Sequence, residues 1–313
     1  MEMKRVYNKV FYIVVLLLGV SVVTFTLTYL AGSNPALAMF EAQGVVPTEE
    51  QLLLAEKNMG IDKPIYIQYM NWGMNVLKGD LGISFLKNEP VINLIIDRLA
   101  PTAYLTVISL LIMLIVAIPT GIYSAINNNK VADYIIRVTS FIGISIPSFC
   151  LGVFLLYFFT IWLDILPVIH TKMSFSRIIL PAITLAVPMA AKYSRQVRIA
   201  ILEELKQDYV IGAVSRGVKK SNVLLKYILP NAILPLLAIL GISIGSLLGG
   251  AAVVEIIFSY PGLGSLMVEA VNARDYPLIQ GLILWISGVY LILNQLIDEL
   301  YYRIDPRTRK VRL

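Results

Sequence analysis

Side chains able to do chemistry are few in this 313-residue chain. It has one histidine, His170, and one cysteine, Cys150, which lies inside an apolar run. A His/Cys metal site needs several such ligands around one ion, so no metal centre is expected, and His170 reads as a surface residue of its loop. A single cysteine forms no intrachain disulfide and says nothing of redox compartment. No GxxxxGK[ST] phosphate loop occurs, and Gly217 to Ser221 has the wrong spacing for one. The chain is therefore expected to hydrolyse no ATP, and no nucleophile–base set suggests another reaction. Glu255 is a carboxylate at the edge of an apolar run of more than twenty residues. Ionisable groups there are expensive and tend to face a cavity or a partner. Two readings stand: a group at the outer end of a path or gate, or a structural carboxylate beside Ser259 or the N–H groups near Pro261.

The elements that carry these residues are membrane helices. The chain is 58% hydrophobic and 15% charged, with a mean hydropathy of +0.76. Soluble domains run nearer half apolar and a quarter charged, so a soluble enzyme is excluded. Charge-free apolar runs cover Phe11 to Leu30, Leu99 to Ile126, Val138 to Leu163, Ile178 to Ala191, Ala232 to Val254 and Leu278 to Ile297. About 20 apolar residues span a bilayer, and five runs reach that length. The fourth is read as a span continuing past Lys192 and Arg195, with a buried re-entrant segment as the alternative. Open sheet in lipid would leave backbone groups unpaired. The expected fold is an all-α bundle of six spans.

Basic residues orient it. Lysine and arginine number 18 in the N-terminus, residues 127–137, residues 192–227 and the tail, against 8 in the other loops. Excess basic charge in short loops marks the cytoplasm, so both ends are expected there. This distribution also accounts for the net charge of +6 without nucleic acid. The tail residues Arg303, Arg307, Arg309, Lys310 and Arg312 are expected to meet anionic headgroups. Residues 1–30 resemble a signal peptide only in Lys4, Arg5 and Lys9; the 20-residue apolar stretch reads as a retained first span.

Between the first two spans, residues 31–98 form a polar outer segment. Thr48 and Gln51 stand in capping-box spacing before a helix that should stop at Gly60. A second helix is expected from about Pro64 to Gly79, with Tyr66, Tyr69, Met70, Gly73, Val76 and Leu77 on a stripe packed against the outer ends of the spans or in the headgroup layer. In the fifth span, Gly241, Gly245, Gly249 and Gly250 favour close helix contact. Pro119, Pro147, Pro181 and Pro188 are candidate bends.

Residues 203–230 carry the most information. A charged stretch leads to Asp208, Tyr209, Val210, Ile211, Gly212, Ala213, Val214, Ser215, Arg216 and Gly217. This reads as a helix, a break at Gly217, and a short helix capped by Ser221 or Asn222, with Pro230 and Pro235 introducing the next span. The small residues allow a partner backbone to approach, and the amphipathic pieces suit a partner's groove.

The loop resembles the coupling loop of ABC importer permeases, whose pattern is Glu-Ala-Ala, three residues, Gly, nine residues, Ile-x-Leu-Pro. With the glycine at Gly217, the triplet falls on Ile211, Gly212 and Ala213, and nine residues later come Tyr227, Ile228, Leu229 and Pro230. Ile211 replaces the glutamate, a departure common in the peptide/nickel branch. Other stretches similar to that branch include Asn34-Pro35-Ala36, Gly60-Ile61-Asp62-Lys63-Pro64, Asp80-Leu81-Gly82-Ile83-Ser84, Gly249 through Glu255, Pro261-Gly262-Leu263-Gly264, Arg274-Asp275-Tyr276-Pro277 and Asp305-Pro306-Arg307. The resemblance covers nearly the whole chain.

It implies a six-helix type I ABC importer permease with an extracytoplasmic segment between helices 1 and 2. The divisions are residues 1–98, a permease core at 99–300 containing the coupling loop 203–230, and a cytoplasmic tail at 301–313. Asp208, Tyr209, Ala213, Gly217, Leu229 and Pro230 are expected to meet an ATPase. Glu255, Pro261, Gly262 and Gly264 are candidate gate or path residues. Gly241, Gly245 and Gly249 are candidate packing residues, within the chain or against a second permease subunit. The implied partners are a homologous permease subunit, two ATP-binding subunits holding ATP and magnesium, a substrate-binding protein and the bilayer of a bacterial or archaeal cell. The compact loop 164–177 and Gly82-Ile83-Ser84-Phe85 lean toward nickel or metal-chelate cargo, with di- or oligopeptide the alternative. An ion-coupled secondary transporter would usually show internal repeats and buried carboxylates near mid-membrane; the sequence shows no clear repeat, and Glu255 stands alone within the apolar runs.

Overall fold

The computed structural model describes residues 2–30, 34–166 and 175–304; His170 and the tail beyond Ile304 lie outside them. Among the described residues every regular element is a helix, apart from one isolated bridge between Ile83 and Pro90. The helices are α1 (Glu2–Leu30), α2 (Pro35–Ala42), α3 (Glu49–Met59), α4 (Ile65–Leu77), α5 (Val91–Ile126), α6 (Val131–Ser145) and α7 (Ser148–Leu156). After a π-helical turn at Tyr157–Trp162 come α8 (Phe175–Glu204), α9 (Asp208–Ser215) and α10 (Lys220–Val223). A second π turn, Leu224–Ile228, runs into α11 (Leu229–Ile257), followed by α12 (Leu263–Asn272) and α13 (Tyr276–Ile304). Two compact units result, Met1–Thr102 with Pro261–Ile292 and Ala103–Tyr260 with Leu293–Leu313.

In the first unit residues 34–98 fold as their local signals dictate. Thr48 and Gln51 form the expected reciprocal capping box on α3. Gly60 ends that helix at φ 69°, a left-handed conformation that glycine adopts without penalty. Pro64 precedes α4, where Tyr69 and Trp72 close on Phe25 of α1 at ring-centroid distances of 5.4 and 5.6 Å. The Tyr69 hydroxyl also lies 2.8 Å from Ser21 Oγ. Tyr66, Met70 and Leu77 of the same stripe remain exposed. Helix α2, which the sequence reading did not anticipate, is capped by Asn34, whose side chain accepts from Ala36 N at 3.0 Å and donates to Glu56.

Asp275, fully buried, organises the other end of this unit. Its carboxylate accepts from Ser84 Oγ at 2.6 Å, Leu86 N at 3.1 Å and Leu278 N at 3.2 Å. One group thus caps α13 and pins the loop before α5. Val91, Ile95, Leu263, Leu266, Ala270, Leu278 and Leu282 pack beneath it.

The second unit is built around α8, which packs against α6, α7 and α11. Its 30 residues make about 45 Å of helix, longer than the ~30 Å hydrocarbon layer. The helix does run on through Lys192 and Arg195 without a break. Glycines on three other helices let it sit close. A Cβ at Gly121 would lie 2.6 Å from Val197 Cβ, at Gly143 3.0 Å from Ala191 Cβ, and at Gly152 3.2 Å from Thr184 Cγ2.

One expectation about bends is met here, and one about a helix cap needs correction. The run Val138 to Leu163 turns at Pro147, a candidate bend: α6 and the helix from Ser148 to Trp162 meet at 93°. Ile146 takes the extended conformation (φ −82°, ψ 120°) favoured before proline, and Pro147 has no N–H to continue the ladder. Pro181 and Pro188, by contrast, lie inside an unbroken α8. The cap of α10 is Lys219, with no side-chain hydrogen bond, and Ser221 and Asn222 lie inside the helix. Four helices among the described residues are long and apolar enough to cross a membrane, or five if the bent pair makes one span.

Candidate functional site

The expected coupling loop forms a compact elbow. Helix α9 buries Val210 and Ala213 while Ile211, Val214 and Ser215 are exposed, so it has an inner and an outer face. Asp208 occupies its first turn, where a carboxylate suits the positive end of the helix dipole. Its C-terminal hydrogen bonds form a Schellman motif: Gly217 N donates to Val214 O at 2.9 Å, and Val218 N to Ala213 O at 3.2 Å. Gly217 sits at φ 78°, and a Cβ there would meet no atom within 4 Å. Backbone conformation, not crowding inside this chain, is what calls for glycine.

From Lys220 the chain is helical without interruption into α11, so Leu229 and Pro230 fall where the elbow runs into that helix. Leu229 is half-buried and Pro230 exposed. A proline in the first turn of α11 deletes only one donor, and the π turn ahead of it accommodates the loss. Asn231 Nδ2 donates to Tyr227 O at 2.8 Å and to the Tyr209 hydroxyl at 3.2 Å. Tyr209 in turn donates to Glu204, which ties the end of α8 to both sides of the elbow. The inner face joins a cluster with Met113, Ala117, Tyr193, Val197, Ile201, Val223, Ile228 and Ala232.

Glu255 is fully buried near the end of α11. The turn that follows holds Ser259 at φ 48°, an uncommon conformation for a residue with a side chain. The Ser259 carbonyl accepts from the Arg177 guanidinium at 2.9 Å, and that guanidinium lies 5.8 Å from the centre of the buried Tyr260 ring. Burial first, and then the nearby Glu255 charge, push the Tyr260 phenol up to about 12, opposed by Arg177. The sequence reading offered Ser259, or the N–H groups near Pro261, as one setting for Glu255 and did not include Arg177, 82 residues away from Ser259.

The other expected residues are placed as follows. Pro261, Gly262 and Gly264 lie in the first unit, where Gly262 caps α12 and its N–H donates to Ser265 Oγ at 3.1 Å. Leu263 N donates to Thr102 Oγ1 at 2.8 Å, so this turn is anchored at the base of α5. Gly241 faces α13: a Cβ there would lie 3.1 Å from Ile297 Cδ1. At this position the close contact is within the chain. Gly245 and Gly249 lie farther along α11. No group of three or more His, Cys, Asp or Glu side chains that could hold a metal ion occurs among the described residues.

One constellation escaped the sequence reading. Asp133 in the first turn of α6 is fully buried. It accepts from Arg198 Nε at 2.7 Å, Arg198 Nη2 at 2.9 Å, Ser124 Oγ at 2.5 Å and Asn129 N at 2.9 Å. The bidentate pair links α6 to α8 beside the elbow. Asp133 and Arg198 are 65 positions apart in sequence, so no local pattern pairs them.

Residues 117–310 match the family described as the binding-protein-dependent transport system inner membrane component, and residues 3–106 match its N-terminal family. A probable peptide ABC transporter permease, y4tP, of Sinorhizobium fredii is 35% identical over 297 residues, covering 93% of this chain and 94% of that protein. The chain belongs to the ABC importer permeases of the peptide/nickel type. The glutathione transport system permease protein GsiC of Escherichia coli K12 is also 35% identical, with the same coverage. Among solved structures, the MetNI methionine ABC transporter aligns with a TM-score of 0.56 at 16% identity, over 68% of this chain and 96% of that one. A second, an amino acid ABC transporter, aligns at 0.50 and 19% identity, over 69% of this chain and 94% of its own. These two fix the fold as that of the type I importer permeases. Family membership makes the permease a multi-pass inner-membrane transport subunit, not an enzyme, and implies ATPase and binding-protein partners.

Proposed function

We propose that this permease forms half of the path of an ATP-driven importer for small peptides or peptide-like compounds, moved by the elbow at residues 203–230. The observation that carries the coupling role is the two-faced α9, buried through Val210 and Ala213 and exposed through Ile211 and Val214, closed by left-handed Gly217. Asp208, Tyr209, Ala213, Gly217, Leu229 and Pro230 hold the shape that an ATPase grips, and that ATPase supplies the ATP and magnesium. Names of relatives favour peptide cargo: y4tP is described as a probable peptide permease, GsiC as a glutathione permease. Nothing among them supports nickel.

The reading extends to six spans with both termini cytoplasmic, α8 joining the other five as the fourth along the chain. Residues 31–98 then lie outside and receive the binding protein, and residues 99–300 form the core. A homologous permease completes the path, and two ATP-binding subunits drive it. Glu255, with Arg177 and Tyr260 beside it, belongs to the outer end of the path, and the turn at Pro261, Gly262 and Gly264 follows it in sequence. The test is uptake into vesicles containing the assembled transporter. Labelled peptide should accumulate only with ATP, binding protein and ATPase present; uptake of nickel in place of peptide would overturn the cargo. Labelling single cysteines at Val46 and Ser215, with Cys150 replaced, should mark opposite faces of the membrane.

A further inference from the structure

A cleft of about 260 Å³ opens between α6 and α8, lined by Arg137, Phe141, Arg195, Arg198 and Ile199. Three guanidinium groups meet there. Among the described residues the carboxylate paired with them is Asp133, through Arg198 Nε at 2.7 Å and Arg137 Nε at 3.8 Å. Two positive charges therefore remain uncompensated at the mouth. The Arg137 side chain is 46% exposed, and Arg195 is exposed as well. Arg137, which leans on the buried Asp133, and Arg195, presented from α8, form a seat for a phosphate, since guanidinium forks match phosphate oxygens.

The surroundings identify the carrier of that phosphate. Phe141 is 67% exposed and Ile199 42%, and along α6 the exposed Val138 and Ile142 continue the apolar surface away from the arginines. A soluble anion would find no partner for this apolar wall, whereas an acyl chain would. The cleft also lies where the charge-free runs give way to residues 127–137 and 192–198, the zone where a basic pocket between helices meets anionic headgroups. We propose that the cleft binds the headgroup phosphate of an anionic phospholipid from the cytoplasmic leaflet, its acyl chain lying along Phe141. This goes beyond the cargo reading and rests on it only for the orientation of the spans. The lipid would brace α6 against α8, next to the Asp133 hub.

The assembled transporter, purified in mild detergent, is incubated with phosphatidylglycerol, phosphatidylcholine or inorganic phosphate, and bound molecules are counted by native mass spectrometry. Phosphatidylglycerol should be retained in preference to phosphatidylcholine. Replacing Arg137 and Arg195 together by glutamine, which leaves Arg198 and Asp133 in place, should weaken retention about thirtyfold, from the contribution of each basic residue near an anionic headgroup. Arg195→Lys should keep most of it. Equal retention of the two lipids by the unmodified transporter would overturn the proposal without any variant. So would competition by inorganic phosphate at concentrations like those of the lipid, which would make the site one for free phosphate. Loss of ATPase subunits from the double variant with lipid retention unchanged would assign the cleft to the partner instead. Failure of peptide uptake would bear on the cargo alone and leave these counts untouched.

Discussion

Gly217 offers the sharpest test of the elbow, because its geometry separates two reasons for a glycine. If a partner's backbone must pass over it, any side chain should do harm in proportion to size. If the left-handed conformation is what matters, harm should follow backbone preference. The structure supports the second: φ is 78°, and a Cβ meets nothing within 4 Å inside the chain. Forcing an ordinary L-residue into that region costs roughly 1–2 kcal/mol, whereas asparagine tolerates it. At 1.4 kcal/mol per decade, this shifts the balance between the closed Schellman turn and an opened one by roughly five- to thirtyfold. Gly217→Val, branched at Cβ, should sit at the upper end. Gly217→Asn, nearly as bulky, should stay close to the parent. The assay compares peptide uptake with ATP turnover in vesicles holding the complete transporter. Valine should lower uptake per ATP several-fold while membrane insertion is unchanged, and asparagine should retain most of it. Equal impairment by both would refute the conformational account and restore the steric one; a fully coupled valine variant would remove the elbow from the mechanism.

Other perturbations bear on the helix frame. Asp133→Ala strands a largely buried Arg198 and should destabilise the purified protein by about 3–5 kcal/mol, read as an earlier thermal transition, with Asp133→Ala plus Arg198→Met recovering part of the loss. Gly121→Ala forces a Cβ to within 2.7 Å of the Ser194 carbonyl and should cost about 1–3 kcal/mol, while Gly19→Ala, with open space around it, should be neutral or stabilising. Ser84→Ala leaves a buried Asp275 oxygen one donor short, at about 1–3 kcal/mol, and should raise protease sensitivity in the loop before α5. Asp275→Asn should do the same, and a loop as resistant as in the parent would argue against the anchor.

What the sequence made legible were features whose cause is local. The capping box at Thr48 and Gln51, the stops at Gly60 and Gly217, and the apolar runs of α1, α5, α11 and α13 depend on neighbours within a turn or two, and all are found. Features made by pairing distant segments were not. Asp133 looked like a loop residue, yet it is buried because Arg198 reaches it from another helix. Gly121, Gly143 and Gly152 are spread over three helices with no spacing in common, so their convergence on α8 leaves no periodic trace, while the evenly spaced glycines of α11 drew the eye. The bend at Pro147 was legible through the chemistry of proline and not through hydropathy, which is blind to backbone direction and reads the two helices as one apolar run.

The burial pattern also bears on how a short loop can act on a whole bundle. The exposed faces of α9 and α10 are free to be gripped, but their inner residues share one apolar cluster with Met113 and Ala117 of α5, Tyr193, Val197 and Ile201 of α8, and Ala232 of α11. Close-packed side chains do not slide independently; a shift on one side of such a cluster is felt on the other. Tyr193 ties the same layer further, donating to Leu236 O at 2.9 Å across to α11. On the proposed role, movement imposed on α9 would therefore tilt α8 and α11 together, with Tyr209 and Asn231 keeping the elbow from unwinding first. Tyr209→Phe removes the hydroxyl shared by Glu204 and Asn231 and leaves the ring in place. It should loosen that connection by about 1 kcal/mol and lower uptake more than ATP turnover. If uptake and turnover fell in equal proportion, the hydroxyl would serve stability alone, and transmission through the elbow would have to rest on the apolar cluster.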